Sequence, residues 1–252
     1  MKVRLLPVIE DSAARLMAID EAILTARSEG KSGNTLRFYK WKPSAVTIGY
    51  FQNAEKEVNL DYLKKNGIDI VRRLTGGGAV YHKDELTYSV FLNDNDIEDG
   101  KDTLAVFKKI CGAIIYGLKE IGIKAEFAPI NDIVADGKKV SGNAQTRKGN
   151  AILQHGTILL SVDKEMMFKI LTVDEDKVKL KNLIKAGERV TSLSDVAGKR
   201  IEFDEVRKSI VKGFEDQMDI KFVEGDLSEY EKELIDKFYK EKYNNDEWNM
   251  KR

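Results

Sequence analysis

Three consecutive glycines constrain this chain more than any other feature. In the segment RRLTGGGAVYHKDELTYSV, residues 72–90, they lie between an arginine pair and an alternating apolar stretch. A hairpin turn requires one or two glycines, and a flexible linker has no need of two permanent cations. Glycines let backbone N–H groups approach an anion closely and adopt positive φ angles. The segment therefore predicts a phosphate or carboxylate site, with a plain glycine-rich strand connection as the alternative.

The arginine pair is predicted to stand at the end of a strand, where successive side chains point to opposite faces. Only one of Arg72 and Arg73 can then point into the site, where its guanidinium would hold an anion by charge-assisted hydrogen bonds. The glycines match neither GxGxxG nor GxxxxGK[ST]. A dinucleotide fold and a P-loop are therefore not supported.

A second segment, NDIVADGKKVSGNAQTRKGNAILQHGTILL, covers residues 131–160. Lys138 and Lys139 precede the small residues of Ser141-Gly142-Asn143-Ala144, and at most one of the two lysines faces a common site. Such a lysine could offset charge that develops on phosphorus. A hairpin turn at Asp136-Gly137 with solvated lysines is the alternative reading, and it is compatible with a site.

The remaining reactive side chains indicate little further chemistry. His82 and His155 are the two histidines, and they lack the spacing of a zinc site. The single cysteine, Cys111, excludes a disulfide framework. It lies on the apolar face of a predicted helix, which favours a packing role over a nucleophilic one.

Length and composition restrict the class of protein. The 252 residues fit one large domain, and 42% hydrophobic residues can supply a core. The chain has 42 basic residues (Lys and Arg) and 42 acidic residues (Asp and Glu), so its net charge is zero. This balance argues against a protein that binds nucleic acid over its whole surface. Because no apolar run approaches roughly 18 residues and no signal-peptide core is visible, we expect a soluble cytoplasmic protein without a membrane partner.

Hydrophobic periodicity predicts grouped strands with helices between the groups, which favours an α+β fold with a mixed sheet over a doubly wound sheet. Strands are predicted over residues 3–9, 35–41, 45–51, 68–74, 86–92, 132–137, 138–147 and 151–160. Helices are predicted over residues 12–28, 58–66, 102–121, 164–171, 203–216 and 228–243.

Together the two long segments resemble those of the lipoate–protein ligases, members of the biotin/lipoate ligase superfamily. RRLTGGGAVYH is similar to that family's RRxxGGGAVxHD motif, and NDIVADGKKVSGNA with HGTILL is similar to its NDL…GRKISGNA…HHGTLLL motif. Weaker matches are MAIDEAIL, VTIGYFQN, RVTSL and DEWN. Two mild departures are Gln154 in place of the first of two histidines, and an acidic residue displaced to Asp84. The resemblance implies a single catalytic domain over residues 1–252, with mixed β-sheets flanked by helices.

The resemblance implies an ATP- and Mg²⁺-dependent ligase that activates lipoate or octanoate as an acyl-adenylate. The acyl group would then pass to one lysine of a lipoyl carrier domain, such as that of a 2-oxoacid dehydrogenase acyltransferase subunit or the glycine-cleavage H protein. Larger ligases of this family carry a further C-terminal domain, which is absent from this chain. We therefore expect a separate accessory subunit that supports adenylation.

Residue roles follow from the same resemblance. Lys139 would be catalytic and contact both the α-phosphate and the acyl carboxylate oxygen, while Asp132 would serve the metal or the nucleotide. Gly142 and Ala144 would leave room for the adenylate, and the acyl tail would lie in an apolar tunnel. The predicted nucleotide and acyl-adenylate set is Arg72, Arg73, Gly76, Gly77, Gly78, Ala79, Val80, Tyr81, His82, Asp132, Lys139, Ser141, Gly142, Ala144 and His155.

Other functions remain open at this point. One alternative is an octanoyl or lipoyl transferase that acts without ATP. Its cysteine-dependent form is disfavoured, because the stretch over residues 127–136 that would carry the cysteine reads FAPINDIVAD. A biotin ligase is disfavoured because a GRGRxGR-like loop is missing. A non-catalytic acyl-adenylate-binding module is the alternative from another class, and an acidic, lysine-rich loop over residues 174–189 is a candidate lid.

Overall fold

The computed structural model describes residues 1–171 and 187–251, which form two β-sheets and surrounding helices. The strands are β1 (Lys2–Leu5), β2 (Ile9–Asp11), β3 (Thr35–Trp41), β4 (Ala45–Ile48), β5 (Asp69–Arg72), β6 (Val80–His82), β7 (Glu85–Asn93), β8 (Glu126–Ala128), β9 (Asp132–Ala135), β10 (Lys138–Lys148), β11 (Ala151–Leu159) and β12 (Lys221–Glu224). The helices are α1 (Ala13–Ser28), α2 (Ala54–Glu57), α3 (Leu60–Asn66), α4 (Thr103–Glu120), α5 (Lys164–Leu171), α6 (Leu193–Ala197), α7 (Phe203–Met218), α8 (Glu229–Phe238) and α9 (Asp246–Asn249).

The larger sheet has the strand order β12-β1-β3-β7-β11-β10-β9-β8, with β2 also paired to β3. Strands β12, β1, β2 and β3 pair in parallel. The pairs from β3 to β8 are all antiparallel. The smaller sheet has the order β5-β4-β6 and also mixes both senses. The predicted α+β class with mixed sheets flanked by helices is confirmed.

Helices cover both faces of the larger sheet. Strand residues on one face, such as Phe38 and Tyr88, pack in a cluster with Ile110 of α4 and Phe214 of α7. Alternate residues of the same strands face the other way and pack in a second cluster with α1 and α8. A third cluster joins the smaller sheet to α3 and α5. The face that α1 covers is the one that carries the site described below.

Helix-capping residues and a proline explain where several helices and strands begin and end. The Asp102 carboxylate accepts from the N–H groups of Leu104 and Ala105, so α4 begins where predicted. Gly67 ends α3 in a left-handed conformation, as a glycine permits. The predicted first strand is divided into β1 and β2 by a segment with Pro7, which cannot donate a ladder hydrogen bond.

Several short elements differ from the sequence prediction. Strands β6, β8 and β12 were not predicted, and each has only three or four residues. The predicted strand over residues 45–51 ends at Ile48 in β4. The predicted helix over residues 228–243 changes to a π-helical turn at Tyr239–Tyr243. Pattern periods need longer segments than these to be recognised.

Candidate functional site

A cavity of about 260 Å³ is lined by residues of both sheets. The cavity is bordered by the glycine loop, defined here as residues 75–79. Strand β6, the α1 face of the larger sheet and the segment around α5 complete its lining. Every predicted residue from Gly76 to His82 contributes, as do Arg73, Lys139, Gly142, Ala144 and His155. The structure therefore gathers both sequence segments around one cavity.

The Arg73 side chain anchors the glycine loop by hydrogen bonds to its backbone. Its Nη2 atom donates to the carbonyl oxygens of Gly76 and Gly78 at 3.1 and 2.9 Å, and its Nη1 atom donates to Thr47 Oγ1 at 2.6 Å. Gly77 has a φ of +97°, which favours glycine at that position. A Cβ on Gly49 would lie 2.0 Å from the Gly77 oxygen, so the loop can approach the residue after β4 only because Gly49 lacks a side chain.

Two features of the loop suit an anion. The Gly76 and Gly78 carbonyl oxygens already accept hydrogen bonds from Arg73, whose positive charge offsets their partial negative charge. The N–H groups of residues 76–79 donate to no group within the described chain. Arg73 is 6% exposed and has no acidic partner among the described residues. Burial lowers its pKa to about 10, which leaves it charged at neutral pH.

Arg72 was predicted in the nucleotide set, but the structure places its side chain away from the cavity. It does not line the cavity, since it points to the opposite face of β5 from Arg73. Its guanidinium donates to the carbonyl oxygens of Gly49, Tyr50 and Gln52 and to those of Trp248 and Asn249. Arg72 therefore fastens α9 to the segment after β4.

Lys139 reaches the cavity and Lys138 does not. The Lys139 Nζ atom lies 2.7 Å from Asp132 Oδ1 on the neighbouring strand β9, whereas Lys138 is exposed. A Cβ on Gly142 would lie 2.7 Å from that Nζ atom, so this glycine makes room for the lysine arm itself. The predicted hairpin turn is present, with positive φ angles at Asp136 and Gly137.

Ser141 was also predicted in the site, but the structure places it away from the cavity. Ser141 is fully buried and does not line the cavity. Gly142 and Ala144, which do line it, alternate with Ser141 along β10. Ser141 pairs with Ile158 of β11, which packs in the cluster with α4, so Ser141 faces the side of the sheet that α4 covers.

The two histidines have matching surroundings. His155 Nε2 lies 2.7 Å from Thr75 Oγ1 in the glycine loop, and its Nδ1 lies 3.0 Å from Asp20 Oδ2 of α1. His82 Nε2 lies 2.7 Å from Thr47 Oγ1, and its Nδ1 lies 2.5 Å from the carboxylate of Glu85. Burial lowers the pKa of His155, although Asp20 opposes the shift.

A metal site receives limited support from the described side chains. They contain no group of three or more His, Cys, Asp or Glu placed to hold a metal ion. One carboxylate oxygen of Asp132, the predicted metal ligand, forms an ion pair with Lys139. Mg²⁺ commonly takes only one or two carboxylates and completes its shell with substrate phosphates and water. Asp132 could serve such an ion only together with a phosphate-bearing substrate.

Cys111 has no access to this cavity. It lies fully buried in α4, on the opposite side of the larger sheet, and Gln154 Nε2 approaches its Sγ at 3.9 Å. Burial raises its pKa to about 12, so the thiol stays protonated at neutral pH. Since the chain has one cysteine, no thiolate is available at the cavity.

Sequence reasoning missed the apolar part of the lining. Met17 of α1 and Tyr39 and Trp41 of β3 all line the cavity. The alternation of side chains along β3 places Tyr39 and Trp41 on the same face of the strand. It does not show which face of the strand borders the cavity. The predicted lid over residues 174–189 lies almost entirely outside the described residues.

None of the helices in the described part of the chain has the length and apolar content that a membrane span requires.

Comparisons with known proteins agree on one group. The model of the lipoyl protein ligase A/B catalytic domain matches residues 12–215. The octanoyltransferase LipM of Clostridioides difficile (strain 630) is 39% identical, over 94% of this chain and 94% of its own. The bi-partite lipoate protein ligase of Thermoplasma acidophilum has a TM-score of 0.89 at 34% identity, covering 99% of this chain and 96% of that one. A lipoate-protein ligase A bound with ATP has a TM-score of 0.86 at 35% identity, covering 99% of both chains.

Proposed function

Because the chain belongs to the lipoyl protein ligase A/B catalytic domain family, we propose that it transfers an octanoyl or lipoyl group to a lysine of a lipoyl domain. Arg73 carries this proposal. It is a buried cation without an acidic partner in the described chain, and it lies beneath a loop whose N–H groups are unengaged. Such a site stabilises negative charge on a bound acyl donor or on the transition state.

The same donors suit two kinds of acyl donor. With an acyl-adenylate, the loop N–H groups and Lys139 would hold the phosphate. With an acyl thioester, they would stabilise the oxyanion that forms when the acceptor amine attacks the carbonyl carbon. In both cases the amine forms an amide bond and releases either AMP or a thiol. The protein's main contribution would be to position the two reactants.

Transfer without ATP is the first candidate. The C. difficile relative is named an octanoyltransferase, and that name supports the ATP-free alternative better than an ATP-dependent ligase. In this chain such a transfer would be direct from donor to acceptor lysine. A covalent intermediate on cysteine would need a thiolate, and Cys111 is buried and protonated on the wrong side of the sheet.

ATP-dependent activation is the second candidate, and the position of Cys111 favours it, since an adenylate route needs no thiol. The related ligase structure bound with ATP supports it as well. Mg²⁺ would neutralise phosphate charge during adenylation. Asp132 is the described carboxylate beside Lys139 that could help to hold this ion.

Two further proposals concern partners. The T. acidophilum ligase is bi-partite and was studied with its E2 lipoyl domain. We propose a lipoyl domain as the acceptor for this chain and a separate accessory subunit as a requirement for adenylation. The catalytic unit would then be the single domain over residues 1–252.

The test is the intact mass of a purified lipoyl domain after incubation with this chain. One tube receives lipoate and Mg-ATP, a second receives synthetic octanoyl-adenylate, and a third receives an octanoyl thioester of an acyl carrier protein. A Cys111→Ala variant runs beside the wild type in each tube. We expect the variant to match the wild type, because the thiol is remote from the cavity.

Each outcome separates the candidates. Modification with the thioester supports the octanoyltransferase. Modification with the adenylate alone supports a ligase that needs a second component, and modification with Mg-ATP supports a self-sufficient ligase. No modification in any tube would contradict the proposed function, and loss of transfer in Cys111→Ala would contradict the direct mechanism.

A further inference from the structure

Glu85 is a buried carboxylate that accepts hydrogen bonds from both sheets. It begins β7 of the larger sheet, and its side chain is 1% exposed. Its Oε1 atom lies 2.5 Å from His82 Nδ1 and accepts from Thr87 Oγ1 at 2.8 Å. No lysine or arginine of the described chain forms an ion pair with it. Burying a carboxylate without such a cation costs free energy, which points to a role in what Glu85 holds in place.

The direction of each hydrogen bond in this network follows from the donor at its far end. An arginine can only donate, so Thr47 Oγ1 accepts from Arg73 Nη1 at 2.6 Å. His82 Nε2 is the other described partner of that hydroxyl, at 2.7 Å, so it accepts the Thr47 proton. With Nε2 as an acceptor, the ring proton of His82 lies on Nδ1 and is donated to Glu85. The hydrogen bonds therefore run in one direction, from Arg73 through Thr47 and His82 to Glu85.

This network joins the two sheets that border the cavity. Thr47 of β4 and His82 of β6 belong to the smaller sheet, and Glu85 belongs to the larger one. Arg73 follows β5 of the smaller sheet, whereas Lys139 lies on β10 of the larger sheet. The distance between the two cations of the site therefore depends on how firmly the sheets are held together.

At its other end the network reaches the glycine loop. The guanidinium that donates to Thr47 also donates to the carbonyl oxygens of Gly76 and Gly78. Arg73, Thr47 and His82 are all buried. Because each buried group is fixed by its neighbour, a shift at Glu85 passes along the hydrogen bonds to the loop.

We propose that Glu85 is a positioning residue for acyl transfer. Acting through His82 and Thr47, it holds Arg73 and the glycine loop at the distance from Lys139 that the donor's head group requires. The inference deepens the acyl transfer proposed above and rests on it for its reaction.

The first experiment compares Glu85→Gln with wild type, using octanoyl-adenylate and a purified lipoyl domain. The amide keeps the size of the side chain but removes the charge that attracts the His82 proton. Since a misplacement of about 1 Å can cost roughly 10²-fold in rate, we expect kcat to fall about tenfold or more while KM changes little. The matched control is Glu231→Gln, a buried carboxylate of α8 that pairs with Arg4 and does not line the cavity. It should lower Tm and keep the wild-type kcat.

A double-mutant cycle with Thr47→Val tests the path. If Glu85 acts through Thr47, the double variant loses no more kcat than the more damaged single variant. Losses that multiply would place Glu85 on another route and overturn the proposal, as would a wild-type kcat in a folded Glu85→Gln. Glu85→Asp, which keeps the charge on a side chain one carbon shorter, takes the place of Glu85→Gln in the cycle if that variant does not fold.

A third measurement does not depend on transfer. Nitrogen chemical shifts of the two imidazole rings, measured by NMR, report which nitrogen carries the proton, and a His155→Gln variant assigns the signals. We expect the His82 proton on Nδ1. A proton on Nε2 would reverse the hydrogen bonds and overturn the proposal whatever the transfer assay shows. No transfer by a wild type that has this tautomer would contradict the proposed reaction and not the network.

Discussion

At the scale of single residues, the two adjacent lysines of β10 differ in where their amines lie. Lys139 Nζ contacts Asp132 at the cavity, while Lys138 is exposed. We expect Lys139→Ala to reduce transfer by at least 10²-fold, since it removes the cation proposed to hold the donor's head group. Lys138→Ala should retain activity within about twofold, because removal of a surface charge remote from the site has little effect.

The measurement is the transfer rate with octanoyl-adenylate, together with the Tm of each variant. Equal activity of Lys139→Ala and wild type would remove Lys139 from the reaction. A large loss in Lys138→Ala would show that the strand register at the site is wrong.

Thr75 offers a second prediction at this scale. Its hydroxyl bonds to His155 Nε2 and so ties the glycine loop to the larger sheet. Thr75→Val leaves that buried nitrogen without a partner, which costs about 1–3 kcal/mol. We expect kcat/KM to fall more than stability does, because a small displacement of the loop misplaces the donor.

The control for Thr75→Val is Thr35→Val. Thr35 is also fully buried, and its hydroxyl makes two hydrogen bonds, to the Gly33 carbonyl and from Arg4 Nε. It lies at the start of β3, away from the cavity lining. Similar losses of stability but equal transfer rates in the two variants would contradict a positioning role for Thr75.

At the scale of elements, α4 and α7 pack through glycines. A Cβ on Gly213 would lie 2.1 Å from the Ala113 oxygen, and a Cβ on Gly117 would lie 2.5 Å from the Ser209 oxygen. We expect Gly213→Ala to lower the free energy of unfolding by about 1–3 kcal/mol, since the added carbon forces the helices apart.

Gly112 is the matched glycine in the same helix pair. It lies in α4, and an added Cβ would have no atom within 4 Å apart from its chain neighbours and the backbone of its own helix. Gly112→Ala should stabilise the protein by about 0.5–1 kcal/mol, because alanine favours helix over glycine. Chemical denaturation of both variants gives the test. A destabilisation of equal size at both positions would refute close helix contact as the cause.

The elements also show what the sequence could predict. Helices α4 and α5 were predictable because their apolar stripes run for two turns or more, and α4 has a capping aspartate. Strands β6 and β8 have three residues each, too few for a period to be recognised. At the site, the glycine motif predicted an anion site. Strand alternation showed that only one of the two arginines could face it, but not that this one is Arg73. Tyr39 and Trp41 of β3 could be assigned to the cavity only once the pairing of the strands was known.

At the scale of the whole molecule, His155 makes stability depend on pH. Burial lowers its pKa in the folded protein below the usual 6.5. As pH falls through about 6.5, the unfolded chain binds the proton first, so the free energy of unfolding decreases. The slope is at most about 1.4 kcal/mol per pH unit and ends at the folded-state pKa.

Urea denaturation between about pH 8 and pH 5 provides the test, with a His155→Gln variant as reference. The difference between wild type and variant should shrink on the acid side. A difference that is constant over this range would show that His155 has the same proton affinity in both states.

The contacts of Arg72 have a consequence for the order in which the protein is made. A nascent chain that has grown to Lys240 already contains all the described residues that line the cavity. It still lacks Trp248 and Asn249, whose carbonyl groups accept from Arg72. Arg72 also holds the segment that begins at Gly49, against which Gly77 packs. The glycine loop therefore gains its full set of anchoring contacts only after α9 has left the ribosome, so a chain released before that point would lack them.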